Sequence, residues 1–539
     1  MRMSSWRTRA ERLMRWLVED PAVIWLLTIA YILFGLLFVH SDYTLNDEGL
    51  LTHYWASWLR RDFLPVFFFQ RVHPVLVVLY APFSAAGAHA TLVAHVLVGA
   101  AAIPLMAAIA RALGQRLPNL PALTVALSPL YFYGGAAGFP NVDGIVGMVL
   151  ALYLLCVRHW AFAAGLVVGM LPWTRFELAV FCAVMAVYVL VMRRDRSLVL
   201  GMAVFPLLYA ATGALYHHDA LWLTHFPPAT PIDPTNPIYG NQLIGLRYFL
   251  EPAAAVTPAA GIAAALSLER LRPVERALLV YAVLSVMAIH GLPILGIGNF
   301  GAAPRYSMHV LPAFAFFVGR ALEPPWEGKR PALASLGIAA LVGIWLATRQ
   351  EDSRAVPILI AAYAVIWAAA WLRAGTVATA LTVVLILSGP LLPLRTNVGA
   401  PSYLAAIFAW LQARPELGNV PVYTTAHLLA PYLENRLPGT NVYHIAGIDS
   451  VKEMEALTNP DGQRARIRRL CAADLYGKTL LPPIAPDDLP SGALLVLRKD
   501  VRLPLILPDA TWAPRLEVLV EAPDYWIYRL RPAATAGRE

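Results

Sequence analysis

Apolar residues occur in long runs that recur along most of the chain. The first run, 21–40, holds no acidic or basic residue apart from its closing histidine. A helix needs roughly 20 such residues to cross a bilayer, and only helices satisfy the backbone groups of isolated segments there. The runs predict about thirteen crossings, at 21–40, 90–110, 119–137, 143–158, 160–174, 177–193, 198–216, 252–269, 275–293, 306–321, 331–348, 355–373 and 376–394.

One apolar piece, 73–87, does not fit this alternation. Short loops rich in arginine stay in the cytoplasm, which also places the arginine-rich amino terminus there. If 73–87 were a full crossing, Arg111 and every later basic loop would lie outside. We therefore expect 73–87 to be a re-entrant or interfacial helix, or half of a broken one.

The pattern changes after residue 395, where short alternating segments replace the long apolar runs. Strands are predicted at 420–425, 441–445, 493–498 and 526–530, with helices at 426–437 and 451–457. The predicted fold is therefore an all-α polytopic membrane protein with a small carboxyl-terminal α/β extracytoplasmic domain. The predicted boundaries are 1–395 for the transmembrane domain and 396–539 for the α/β domain. A lid or packing role without chemistry of its own is the alternative for the α/β domain.

Composition agrees with a membrane protein and gives no reason to expect a nucleic-acid partner. Hydrophobic residues make up 58% of the chain and charged residues 14%, and the mean hydropathy is +0.59, which excludes an ordinary soluble protein. The net charge of +8 comes mostly from arginines in predicted cytoplasmic loops, so no nucleic-acid partner is expected. The three cysteines, Cys156, Cys182 and Cys471, offer neither a disulfide framework nor a metal-binding spacing.

Polar clusters in the predicted external loops are the candidates for chemistry. Ionisable groups at membrane depth are costly unless they are paired or hydrated, and this favours a functional interpretation. Structural alternatives stay open: Arg175 and Glu177 can simply pair, Arg305 can anchor a helix at the interface, and the acids can cap helices. The clusters are Asn46-Asp47-Glu48 with Arg71-Val72-His73, Asn141-Val142-Asp143, Arg175 with Glu177, and Pro304-Arg305-Tyr306.

Acids and arginines at the outer surface of an apolar groove suit transfer from a lipid phosphate. A carboxylate can take the proton of an attacking hydroxyl. The leaving phosphate needs no acid, and cations such as Arg71, Arg175 or Arg305 can stabilise its charge. The groove would hold the lipid tail.

At these residues the chain resembles a known group of enzymes. The marks are an acid pair in the first external loop, His73-Pro74-Val75-Leu76, an Asp that opens a later span, Pro304-Arg305-Tyr306 and an external carboxyl-terminal domain. In this order they resemble the GT-C superfamily of polyprenyl-phosphate-sugar glycosyltransferases, especially the branch of protein O-mannosyltransferases and the bacterial aminoarabinose transferase. Val75 stands where that branch has a second proline. The Trp-Trp-Asp motif of oligosaccharyltransferases is missing from the sequence.

The resemblance implies a role for each candidate residue. Asp47 matches the catalytic acid, Glu48 its neighbour and Asp143 a second catalytic acid near the substrate. Arg305 matches a contact to the donor phosphate. The remaining predicted substrate-binding residues are Arg71, His73, Asn141, Arg175 and Tyr306.

The expected function is inverting transfer of a sugar from a polyprenyl-phosphate donor to a hydroxyl of a glycolipid, polysaccharide or protein. The expected place is the outer face of a bacterial inner membrane, with the amino terminus cytoplasmic. No metal is expected to be obligatory, although Asp47, Glu48 and Asp143 could hold a divalent cation. A transporter or lipid flippase is the alternative, but its charges should lie near the midplane between repeated halves, and a non-enzymatic scaffold would leave the convergence of these residues unexplained.

Overall fold

The structure is a computed structural model that describes part of the chain. The described residues are 12–40, 52–53, 55–57, 59–60, 63–68, 73–193, 195–225, 260, 268–291, 304–322, 403–425, 429, 433, 441–445, 479–480, 489–499 and 512–532.

Most described residues are helical, as the apolar runs predict. Residues 12–19 form a helix ahead of the first long one. Single turns of 3₁₀ or π helix extend several of the helices that follow. The α-helices are α1 Pro21–His40, α2 Phe63–Phe67, α3 Pro74–Ser84, α4 Ala88–Ala112, α5 Asn119–Ala126, α6 Pro129–Ala137, α7 Pro140–Cys156, α8 Ala161–Met170, α9 Ala179–Tyr188, α10 Arg196–His217, α11 Trp222–His225, α12 Pro273–Val286, α13 Leu311–Leu322 and α14 Tyr403–Gln412.

Several helices have the length and composition of membrane spans. The described residues contain four such helical segments, or five if the bent pair α6–α7 is one span. Large apolar side chains on α1 and α10, such as Leu37 and Leu215, point outward, as they would toward lipid. The protein is therefore a multi-pass membrane protein, and the number of thirteen crossings stays a prediction. The four segments are Pro21–Val39, Ala88–Ala112, Phe176–Arg193 and Arg196–His217.

The prediction of one continuous helix over 119–137 is wrong, because two short helices occupy these residues. Helix α5 ends at Ala126 and α6 begins at Pro129. Ser128 is extended, with ψ of 120°, because the residue before a proline is disfavoured in helical conformation. The piece at 73–87 contains the 11-residue apolar helix α3, which is too short to cross a bilayer alone.

Glycines bring helices α8 and α10 into backbone contact. A β-carbon added at Gly165 would meet the carbonyl oxygen of Leu198, and one added at Gly201 would meet that of Phe162. Gly169 borders the Met202 carbonyl in the same way. Small residues spaced four apart let transmembrane helices approach closely, so Gly165 and Gly169 fix this crossing.

The chain divides into two compact units. The first takes the described residues within Met1–Thr44, Leu92–Ala220 and Ile232–Gly399, and the second those within Leu45–Thr91, Leu221–Pro231 and Ala400–Glu539. The predicted domains, 1–395 and 396–539, stay a prediction.

A buried polar junction joins helix ends in the first unit. Glu275, at the start of α12, is fully buried and accepts hydrogen bonds from Arg320 Nε at 2.8 Å and from the Arg272 backbone at 2.9 Å. Gln115 Nε2 lies 3.4 Å from the same carboxylate. Arg272 in turn donates to the carbonyl of Ala112. These bonds hold the ends of α4, α12 and α13 together.

A six-stranded sheet forms much of the described second unit. The strand order is β3-β2-β1-β4-β6-β5, parallel from β3 to β4 and antiparallel thereafter. Helix α14 packs Leu404, Ile407 and Leu411 in the core cluster that contains Val422 and Val496. The strands are β1 Val422–Thr424, β2 Val442–Ile445, β3 Thr479–Leu480, β4 Leu494–Arg498, β5 Leu516–Glu521 and β6 Tyr525–Leu530.

The four predicted strands match β1, β2, β4 and β6, while β3, β5 and α14 were not predicted. Of the predicted helix 426–437, positions 429 and 433 are described and helical. The predicted helix 451–457 lies outside the described residues.

Candidate functional site

A sharp bend between α6 and α7 sets the position of Asp143. The two helices meet at 109°. Gly138 ends α6 in the left-handed conformation, with φ of 75°, and the Phe139 amide donates back to Gly134 at 2.7 Å, as in a Schellman motif. Pro140 then opens α7, since proline suits a first helical position. The Gly138 to Pro140 sequence thus turns the chain and leaves Asp143 in the first turn of α7.

Asp143 is paired with a histidine inside the helical core. Its Oδ2 lies 3.1 Å from His95 Nδ1, and both side chains are 1% exposed. This contact brings α4 against the start of α7.

A second charged pair occupies the short turn between α8 and α9. Arg175 donates to Glu177 from Nη2 at 2.8 Å and from Nε at 3.1 Å. The two side chains are 8% and 10% exposed. The Arg175 guanidinium carbon lies 5.4 Å from the centroid of the Tyr306 ring, within cation–π range. The guanidinium is therefore held in place by a bidentate bond and by an aromatic ring.

The two pairs belong to one region of the first unit. The Arg175 side chain borders Gly144, the residue after Asp143. The 3₁₀ segment Pro304–Val310, which carries Tyr306, packs on α7, and Met308 borders Gly134 of α6. An acid, a buried arginine and an aromatic ring therefore meet around the first turn of α7.

Further polar residues are buried in the same region. His309 is buried. Its carbonyl accepts a hydrogen bond from Tyr281 of α12 at 3.2 Å. Asn141, also in the first turn of α7, is 1% exposed, and neither amide atom has a hydrogen-bond partner within the described part of the chain. Buried amides without partners are rare, which makes Asn141 a candidate contact for a ligand.

Three described turns lie near the start of α7, away from the loop that follows α4. The turns at 138–143, at 174–177 and at 304–310 come together, and the loop after Ala112 joins Glu275 and Arg320 instead. Along α4, His95 and Ala112 are about 25 Å apart at 1.5 Å per residue. These three turns therefore lie towards one end of α4 and the loop after Ala112 lies at its other end, and which end faces the cytoplasm stays a prediction.

The predicted site residues fall into three groups. Asn141, Asp143, Arg175 and Tyr306 lie together around α7. His73 belongs to the second unit, where it precedes α3 with φ of 55° and ψ of 70°. Arg305 lies in the 3₁₀ segment, and its side chain is outside the described residues, as are Asp47, Glu48 and Arg71 entirely.

Sequence reasoning missed His95 and His309. Both are histidines in or beside apolar helical segments, and an ionisable residue at membrane depth is itself a signal of function. His95 is the more informative, because it contacts a predicted catalytic acid.

Metal-ligating side chains are not clustered in the part of the chain that the structure describes. No three His, Cys, Asp or Glu residues are grouped there as metal ligands would be. Asp47 and Glu48 lie outside that part, so the expectation that no metal is obligatory stays a prediction.

Comparisons with known proteins bear on the fold. Neither a protein-family model nor a curated protein sequence matches this chain. The crystal structure of ArnT from Cupriavidus metallidurans bound to undecaprenyl phosphate aligns with a TM-score of 0.54 and 18% identity, over 93% of this chain and 97% of ArnT. Apo ArnT aligns with a TM-score of 0.52 and 18% identity, over 94% of this chain and 98% of ArnT.

This chain has the fold of ArnT. ArnT is a GT-C aminoarabinose transferase, so the predicted GT-C fold is confirmed, and the match covers almost the whole of both chains. The arabinofuranosyltransferase AftD from Mycobacteria is a more distant likeness, with a TM-score of 0.41 and 15% identity over 94% of this chain and 40% of AftD.

Proposed function

We propose that this protein is an integral-membrane inverting glycosyltransferase that uses a polyprenyl-phosphate sugar as donor. The acceptor is a hydroxyl of a glycolipid, a polysaccharide or a protein. The reaction takes place on the outer face of a bacterial inner membrane. The observation that carries this proposal is the fold shared along nearly the full length with ArnT, which binds undecaprenyl phosphate.

The geometry around α7 supports the same function. Arg175 is fixed beside Tyr306 and next to the first turn of α7. A guanidinium has five N–H donors, so Arg175 can bind a phosphate oxygen while Glu177 accepts two of its bonds. The amino-terminal end of α7 favours an anion as well. These features suit the phosphate of a lipid donor.

The reaction needs a base for the acceptor hydroxyl and cations that stabilise the negative charge of the leaving phosphate. The acceptor oxygen attacks the anomeric carbon from the face opposite the phosphate, and the bond between that carbon and the phosphate oxygen breaks. Asp47 takes the proton of the acceptor hydroxyl, with Glu48 in a supporting role. The leaving polyprenyl phosphate keeps the bonding electrons, and Arg175 and Arg305 stabilise its charge. Asp143 acts as the second acid at the substrate.

The test is transfer by the purified protein. It would be incubated with labelled polyprenyl-phosphate sugars and crude membranes, and the label would be followed to its acceptor. We expect transfer by the native protein and a loss of about 10² to 10⁴-fold in Asp47→Asn, the usual contribution of a positioned base. Glu48→Gln is the matched control, with a smaller loss.

This experiment distinguishes a glycosyltransferase from a lipid flippase. A flippase would move the labelled lipid across the bilayer without cleaving its sugar–phosphate bond. Movement without cleavage, or full transfer activity in Asp47→Asn, would reject the proposed function.

A further inference from the structure

Asn141, in the first turn of α7, is a buried asparagine that the reaction above does not use. The residue is 1% exposed, and neither Oδ1 nor Nδ2 has a hydrogen-bond partner among the residues that the structure describes. We propose that Asn141 is a specificity-determining residue, whose amide binds ring hydroxyls of the donor sugar. This inference rests on the proposed function, because it names the part of the donor that the start of α7 recognises.

A second buried asparagine shows what a structural role looks like. Asn119, at the start of α5, is fully buried and accepts a hydrogen bond from Arg111 at 2.8 Å. Its Nδ2 donates to the carbonyls of Leu17 and Asp20 at 3.1 and 2.8 Å. Asn119 thus uses both ends of its amide to join segments of the protein. Asn141 makes no such bond within the described part of the chain, and a buried amide left unpaired costs free energy, which favours a ligand as its partner.

Helical periodicity places Asn141 beside the groups proposed to hold the donor phosphate. Residues three apart lie on the same face of an α-helix, and Gly144, three residues after Asn141, borders the side chain of Arg175. The 3₁₀ segment Pro304–Val310 packs on α7 as well, and the ring of its Tyr306 lies against the Arg175 guanidinium. The start of α7 therefore lies next to the proposed phosphate site, where the sugar of the donor is attached.

The two amide atoms of Asn141 indicate which part of the donor they bind. An amide presents an acceptor at Oδ1 and two donors at Nδ2. The phosphate of the donor is an anionic diester that only accepts hydrogen bonds, so it would pair with Nδ2 and leave Oδ1 buried without a donor. Hydroxyls donate as well as accept, and neighbouring hydroxyls of a sugar ring can donate to Oδ1 and accept from Nδ2 together. The chemistry of the amide therefore favours the sugar over the phosphate.

The first measurement compares the binding of donor lipid with and without a sugar. Purified protein in detergent would be titrated with undecaprenyl phosphate and with undecaprenyl-phosphate arabinose, glucose and mannose. We expect the native protein to bind at least one sugar donor more tightly than undecaprenyl phosphate. Asn141→Leu, which is close to asparagine in size, should weaken that donor about 10-fold or more, because buried hydroxyls lose their partner. Its Kd for undecaprenyl phosphate should be nearly native.

The second measurement removes a hydroxyl from the ligand. Monodeoxy analogues of the preferred sugar donor would be titrated against native protein and Asn141→Leu. At the hydroxyl that Asn141 binds, the analogue should bind native protein about 10-fold or more weakly than the parent donor. The same analogue should bind Asn141→Leu as well as the parent donor does. The cycle of two proteins and two ligands isolates the contact between amide and hydroxyl.

Asn119→Leu is the matched control. It removes an asparagine whose hydrogen bonds are internal to the protein, so it should unfold at a lower temperature than native protein and keep the preference for the sugar donor. Asn141→Leu should unfold no earlier than native protein, because it breaks no hydrogen bond among the described residues. If leucine does not fit at position 141, Asn141→Ala repeats both titrations with a smaller side chain.

Three results would overturn the inference. They are equal weakening of undecaprenyl phosphate and the sugar donor in Asn141→Leu, unchanged Kd values for both, and a native protein that binds the sugar donors no better than undecaprenyl phosphate. If native protein transfers labelled sugar but any of these results is found, the inference fails and the proposed function stands. If native protein binds the lipids and transfers no sugar, the proposed function fails, and the Kd values still decide whether Asn141 binds the sugar.

Discussion

Arg175 and Glu177 form a bidentate ion pair two residues apart, with N–O distances of 2.8 and 3.1 Å. The pairing that the sequence left as a structural alternative is therefore present. It does not exclude a role in binding, because Arg175 also lies over the Tyr306 ring at 5.4 Å. The pair fixes the planar guanidinium, and a fixed guanidinium loses little entropy when it binds a phosphate.

The structural and functional roles of Arg175 can be separated by two variants. Arg175→Met leaves the Glu177 carboxylate buried without its counter-ion, and we expect a loss of about 3 kcal/mol in unfolding free energy. Arg175→Met with Glu177→Leu should recover most of that stability, because no isolated charge remains. Unfolding of the purified protein in detergent measures both. Transfer activity should be lost in the two variants alike, and a native donor KM in the double variant would argue that Arg175 is only structural.

Local features of this region could be predicted, and the contacts between distant segments could not. Gly138 and Pro140 mark a helix end and a helix start by their own backbone preferences, so the turn before Asp143 is visible in the sequence. The contact of His95 with Asp143 joins two apolar helices, and no periodicity reports which of their polar residues meet. In the sheet, β1, β2, β4 and β6 carry β-branched and aromatic residues, whereas β3 has two residues, too few to form a pattern.

Close packing of α8 on α10 should make Gly165 intolerant of even one methyl group. The added carbon of Gly165→Ala would meet backbone atoms of Leu198 and Met202, which cannot move without shifting α10. We expect a loss of about 1–3 kcal/mol, the usual cost of overpacking, measured as a lower unfolding temperature in detergent. Gly147→Ala is the matched control, because its carbon would meet only a methyl of Leu171, at 2.7 Å. Equal losses in both variants would contradict the close backbone approach.

The stability of the second unit should depend on pH through His53. Burial, followed by the charge of Arg60, lowers the pKa of His53 from 6.5 to about 4, and its Nδ1 lies 3.0 Å from Thr91 Oγ1. Protonation therefore favours the unfolded chain. The contribution of neutral His53 is complete above pH 6.5, falls as the pH drops towards 4, and amounts to about 3 kcal/mol at most.

Unfolding at pH 7.5, 5.5 and 4.5 in one detergent would test this dependence. His53→Asn keeps a polar group near the Nδ1 position without a titrating ring, so its stability should fall less between pH 7.5 and 4.5 than that of the native protein. His218→Asn replaces an exposed histidine and should leave the native pH dependence unchanged. If His53→Asn loses as much stability on acidification as the native protein, the pKa of His53 is not lowered.

Arg305 should act on the donor more than on the acceptor. It precedes Tyr306 in the 3₁₀ segment that packs on α7, and the GT-C resemblance assigns it to the donor phosphate. Arg305→Ala should raise the KM for the polyprenyl-phosphate sugar about 10-fold or more, since hydrogen bonds between charged groups contribute about 1.5–3 kcal/mol. The KM for the acceptor should change much less. Equal changes in the two values would count against a phosphate contact.

At the other end of the helices, Glu275 should matter for stability and not for transfer. Its carboxylate is fully buried and receives bonds from Arg320, Gln115 and the Arg272 backbone. Glu275→Gln keeps the shape but removes the counter-ion of Arg320, and breaking a buried pair from one side costs about 3 kcal/mol or more. Glu521→Gln removes one partner of the exposed pair with Lys499, and should cause no measurable loss because exposed pairs contribute little. Thermal unfolding in detergent would compare the two, with kcat measured well below both transitions. A loss of kcat in folded Glu275→Gln would show that this junction is coupled to the site around α7.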